Sequence, residues 1–118
     1  MKLYGIPNCN SVKKARDWLA ENDQIVEFHD FKKLGLAVDT AGNWLAQRDW
    51  SELVNRKGTT WRGLEDIIKQ NVTDNSSALA LMLEKPSVIK RPVLEHDGRV
   101  LAIGFDASRY ADIFKQEI

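Results

Sequence analysis

The stretch that most constrains the fold is the first thirty residues, where a strand-like run, a helical run and a second strand-like run follow one another without spare chain. Lys2–Ile6 is a short apolar run stopped by Pro7-Asn8. From about Ser11 to Glu21 the apolar residues Val12, Ala15 and Leu19 recur at helical spacing, with Lys13, Lys14, Arg16 and Asp17 on the wet side. Ile25–Phe31 alternates again and is expected to be a second strand. A helix joining two strands predicts a parallel pair with a right-handed crossover.

The middle of the chain is expected to be helical. Asp39 or Thr40 can cap a helix in which Val38, Ala41 and Leu45 share a face. A short helix is expected from Trp50 to about Lys57, stopped by Gly58 as a C-terminal cap. "TTWRGLEDIIKQN" reads as another, and Thr73 to Glu84 as a further one, ended by Pro86. "ALALMLE" is apolar nearly all round, which suggests burial against a sheet. The period then returns to two: "VIKRPVLEHDGRVLAIGF" reads as two strands joined through Asp97-Gly98, a hairpin-turn pair. A last helix opens at Asp106-Ala107-Ser108, with Tyr110, Ile113 and Phe114 on its apolar face. The element order is β-α-β, a helical segment at about 37–84, then β-β-α, within one domain spanning 1–118.

Charge sets bounds on partners. Lys+Arg and Asp+Glu both number 17, so no net field draws the whole chain to nucleic acid or an anionic membrane. Local basic clusters are Lys13, Lys14 and Arg16, and Lys85, Lys90 and Arg91. No apolar window approaches the about 18 residues of a membrane span. Met1-Lys2 leads into strand-like sequence rather than a long apolar signal segment. With one cysteine, no internal disulfide can form, and the expectation is a cytoplasmic protein whose thiol stays reduced.

That cysteine, Cys9, falls where the first strand gives way to the first helix. Unpaired N–H groups and the positive end of the helix dipole favour thiolate there, and thiolate is the nucleophile. Lys13, four residues on, adds positive charge. The bland alternative is a buried cysteine acting as a small apolar side chain, but Pro-Asn-Cys-Asn-Ser is polar loop rather than core. A Cys-x-x-Cys pair is excluded by Val12, and a Cys-x5-Arg phosphate loop by Ala15, which Arg16 misses by one. His29 and His96 have no metal-ligand spacing with Cys9 and read as surface histidines, so no metal is expected. Pro92 inside a strand-like run removes a ladder donor. A cis Arg91-Pro92 bond is one accommodation and presents Arg91 outward as an anion ligand. An exposed edge arginine before a trans proline is the other.

Taken together, "YGIPNCNSVKKARDWL", "NRKGTTWRGL" and "ALALMLEKPSVIKRPVLEHDGRVLAIGFD" resemble the arsenate reductase (ArsC)/Spx family, most of all its YffB branch of small thiol reductases. The resemblance covers nearly the whole chain. It implies an α/β thioredoxin-like fold with a mixed sheet and a helical insertion between strands 2 and 3. It implies that Cys9 is the redox nucleophile, that Arg91 lies close to its thiolate and that Pro92 is cis. Asn8, Asn10, Ser11, Lys13, Arg56 and Pro92 are the expected substrate-binding residues. No bound cofactor is expected, with glutathione as co-substrate and glutaredoxin as a possible partner of a monomer.

Two departures from the pattern bear on function. The glutaredoxin-linked arsenate reductases surround the cysteine with three arginines. Here the first place carries Asn55, with Arg56 beside it, and the last carries Ile103-Gly104. Spx regulators usually carry Cys-x-x-Cys, which this chain lacks. The expected function is therefore a single-cysteine, glutathione-linked thiol reductase. Arsenate reduction is one alternative, and an Spx-like adaptor for RNA polymerase is another.

Overall fold

The computed structural model describes residues 1–115. Along the chain lie β1 (Lys2–Gly5), α1 (Asn10–Glu21), β2 (Glu27–Asp30), α2 (Phe31–Leu34), α3 (Val38–Gln47), α4 (Trp50–Leu53), α5 (Thr59–Arg62), α6 (Asp66–Asn71) and α7 (Asn75–Glu84). A 3-10 turn (Pro86–Val88), β3 (Val93–His96), β4 (Arg99–Ile103) and α8 (Ala107–Lys115) follow. These elements divide into two compact units: Met1–Leu34 with the chain from Arg91 onward, and Gly35–Lys90.

The first unit is built on a mixed sheet of order β2-β1-β3-β4. β1 pairs parallel with β2, and the antiparallel β1–β3 register sets Leu3 opposite Leu94 and Tyr4 opposite Val93. β3 returns as β4 through Asp97 and Gly98, both at positive φ (49° and 79°). That pair of left-handed residues is what a two-residue hairpin with the sheet's twist requires. The core gathers Leu3 from β1, Ala15 and Leu19 from α1, Leu94 and Ala102 from β3 and β4, and Tyr110 from α8. Each fully buried leucine contributes roughly 1.5–3 kcal/mol by leaving water. Trp18 meets Tyr110 edge-on at 5.5 Å between ring centroids, and Phe105 meets it at 4.9 Å, so α8 is clamped onto α1 by aromatic contacts. Val12, Ala15 and Leu19 are all buried, as their spacing predicts. Strand β2 is shorter than expected: Ile25 is 94% exposed and stands before the strand begins.

The second unit is helical, with local corrections. Helix α3 starts at Val38 behind Ala37, which places Asp39 in its first turn rather than at its cap. Gly58 is no helix stop. Helix α4 ends at Leu53 because buried Val54 leaves it to form an antiparallel bridge with Ile89, and Gly58 becomes the residue before α5, at φ −80°. The single helix expected from "TTWRGLEDIIKQN" is two, α5 and α6, interrupted after Gly63. Asn75 ties the unit together: its amide donates to Leu45 O at 3.2 Å and accepts from Trp50 N at 3.2 Å. Helix α7 packs with Ala78, Leu81 and Met82 buried.

Asp74 and Ser77 form a reciprocal capping box at the start of α7. Ser77 N donates to the carboxylate at 2.8 Å and Asp74 N donates to Ser77 Oγ at 3.2 Å. The bonds from Ser77 hold the Asp74 carboxyl below its ordinary range. With the folded pKa depressed, the cap stabilises fully above the unfolded value of about 3.9. That contribution is lost as pH falls through the folded value. Asp74→Ala is expected to flatten the acid limb of thermal stability between about pH 5 and pH 2. An acid limb unchanged from wild type would overturn this role.

Candidate thiol site

Strand β1 ends at buried Gly5, and Pro7 and Asn8 are exposed in the turn that follows. Cys9 then takes the N-cap position of α1, with extended backbone (φ −109°, ψ 128°). Its carbonyl accepts the Lys13 N–H at 2.9 Å, closing the first turn. The side chain is half-buried and makes no capping hydrogen bond of ordinary geometry. The sulfur still feels the helix end. Its partial burial is the largest influence and opposes ionisation. Outweighing it are the Val12 N–H, the Arg91 guanidinium through both hydrogen bonding and charge, and the Ser11 N–H, which together hold the Cys9 thiol below its usual range.

Arg91 reaches Cys9 through strand register. β1 and β3 run antiparallel with Tyr4 opposite Val93, so the residues just before β3 lie beside the loop that leaves β1. The Arg91-Pro92 bond is cis. Pro92 is buried, and its carbonyl accepts the Gly104 N–H at 2.8 Å, which ties the turn before β3 to the end of β4.

The other expected residues are distributed differently. Asn10 and Ser11 form the exposed first turn of α1, and Lys13 lies exposed one turn on; the charge acting on the sulfur is that of Arg91. Arg56 belongs to the second unit, where its guanidinium lies 5.3 Å from the Trp50 ring centroid. There it lines a hollow of about 200 Å³ with Ser51, Val54, Asn55, Lys57 and Lys90. The two histidines are half-buried rather than on the open surface. His29 packs its ring 5.0 Å from that of Tyr4, and His96 Nε2 lies 3.4 Å from an Asp97 carboxylate oxygen. Sequence reasoning missed Gly5. Its only signal was a glycine inside a strand, which marks close approach of another backbone or side chain.

A mixed four-stranded sheet with its one thiol at the β1–α1 junction, facing a cis-proline turn, is a thioredoxin-like layout. Solved structures share it. A protein named YFFB superposes with a TM-score of 0.88 at 43% identity, covering 95% of this chain and 96% of that one. An arsenate reductase (ArsC) related protein from Brucella melitensis superposes with a TM-score of 0.75 at 45% identity, covering 97% and 93%. An uncharacterized protein of Haemophilus influenzae is 40% identical over 112 residues, which is 95% of this chain and 96% of that protein. The ArsC family model matches residues 4–113, and the chain belongs to the ArsC family. No helix among the described residues is long and apolar enough to cross a membrane.

Proposed function

We propose that this chain is a single-cysteine thiol-dependent reductase of the cytoplasm, with glutathione as the resolving thiol. The observation that carries this reading is the meeting of Cys9 and Arg91 at the N-terminus of α1, with the thiol held below its usual range. In the first step the Cys9 thiolate attacks a glutathione mixed disulfide, RS–SG. A Cys9–SG disulfide forms and RS⁻ leaves, taking a proton from water. In the second, a glutathione thiolate attacks the Cys9–SG bond, releasing oxidised glutathione and the Cys9 thiolate. The sum is RSSG + GSH → RSH + GSSG: the substrate thiol is reduced and glutathione oxidised by the same two electrons. Arg91 stabilises the thiolate that attacks first and leaves last. An external thiol is required because Cys9 is the chain's one cysteine.

Arsenate reduction is the second reading, favoured by the name of the Brucella relative. Two places weigh against it. The place of the family's last arginine carries Ile103-Gly104, so no guanidinium stands there to grip an oxyanion. Asn55, at the first place, uses its side-chain oxygen to accept the Lys57 N–H at 3.2 Å. Purified protein should turn over a glutathione mixed disulfide coupled to glutathione reductase, with little arsenate-dependent turnover even with glutaredoxin present. Arsenate turnover exceeding disulfide turnover would reverse the order of the readings. Polymerase capture with neither activity would favour the adaptor.

A further inference from the structure

Gly5 is not a glycine because of its backbone. The described glycines at positive φ are Gly35, Gly98 and Gly104, and Gly5 is an ordinary buried strand residue paired in register with Asp30. What distinguishes it is the space above its α-carbon. A β-carbon placed there would lie 2.7 Å from Val12 Cγ2 and 3.4 Å from Val12 Cγ1. Real β-carbon contacts below 3.0 Å essentially do not occur, so something would have to move.

Val12 is a poor candidate to yield by rotation. It is fully buried, and a β-branched side chain in a helix has one strongly preferred rotamer. β1 is a poor candidate too, because it is the inner strand between β2 and β3 and is hydrogen-bonded on both sides. The remaining freedom is in the first turn of α1. Val12 is the third residue of that helix, and its N–H is one of the groups acting on the sulfur.

We infer that Gly5 is a positioning residue for Cys9: its missing side chain lets Val12 seat the first turn of α1 against β1, and so holds the helix N–H groups at the sulfur. This rests on Cys9 being the nucleophile, and it adds a residue that touches neither thiol nor substrate. Arg91 approaches from the turn before β3 rather than from α1.

The test is the pH dependence of iodoacetamide alkylation in four proteins: wild type, Gly5→Ala, Val12→Ala and Gly5→Ala/Val12→Ala, with circular dichroism as the check on folding. Gly5→Ala is expected to raise the midpoint and slow alkylation at pH 7 by about three- to tenfold, as the thiolate fraction falls. Val12→Ala removes both γ-carbons, so the double variant should return to the wild-type midpoint. Residues in direct contact do not add, so the rescue reports the Gly5–Val12 contact and the midpoint reports what that contact does at the sulfur. A folded Gly5→Ala protein that keeps the wild-type midpoint overturns the inference. If Gly5→Ala fails to fold, the double variant carries the test: it should fold with a depressed midpoint, and an unfolded double variant or one titrating as a free thiol overturns the inference. A wild-type midpoint at or above about 8.5 would instead sink the reading of Cys9 itself.

Discussion

Cys9→Ser is expected to reduce disulfide turnover by on the order of 10³-fold or more, to the rate of the uncatalysed exchange. The substitution changes one atom and little volume at a half-buried N-cap, a position where serine is a preferred residue. The folded structure should therefore persist, and the N-terminus of α1 should be capped at least as well. What is lost is chemistry. At neutral pH a hydroxyl beside Arg91 stays protonated, and it cannot form the Cys9–SG intermediate of the proposed reaction. The measurement is coupled turnover alongside mass spectrometry of protein treated with oxidised glutathione. Wild type should gain one glutathione adduct and the variant none. Turnover surviving in a folded Cys9→Ser protein would mean that the thiol is incidental.

How much of this could be read before any coordinates follows from the range of the interactions involved. Val12, Ala15 and Leu19 mark the buried face of α1 because helix periodicity is local. Asp97-Gly98 marks its turn because positive φ is a property of the two residues themselves. The position of Cys9 at the strand-to-helix junction was legible for the same reason. Gly58 misleads because the chain there is governed by a partner thirty-odd residues away. Asn55 N donates to Val88 O at 2.8 Å and Lys90 N to Leu53 O at 2.7 Å, and the Val54–Ile89 bridge between them ends α4 early. The approach of Arg91 to Cys9 is likewise a matter of register between β1 and β3, and only the resemblance to a known family anticipated it. The Gly5–Val12 contact lies beyond both routes, since it depends on a separation of ångströms between a strand and the helix laid on it.

Arg91→Ala should reduce turnover by on the order of 10²-fold at pH 7, the scale on which loss of one donor to a reacting anion acts. Two effects combine. The thiol loses one of the groups that hold it below its usual range, so a smaller fraction is ionised, and the departing Cys9 thiolate of the second step loses its stabilising charge. The sign of the pH dependence follows. Arg91 favours thiolate, so its removal raises the Cys9 pKa, and the fold deficit should be largest below the wild-type value and shrink as pH rises between the two values. The part due to acidity should vanish as pH rises past the variant's value, leaving the leaving-group part. The same shift bears on stability: a thiol whose folded pKa is depressed stabilises the fold above its unfolded value, and that contribution fades as pH falls through the folded value. Arg91→Ala should shrink it. Arg91→Lys separates charge from shape. It keeps a cation near the sulfur and should recover most of the alkylation midpoint, while lacking the planar fork that grips a carboxylate at two points. Its turnover should therefore fall through KM more than through thiol acidity. If wild type and Arg91→Ala share one alkylation profile, the guanidinium is not what activates Cys9.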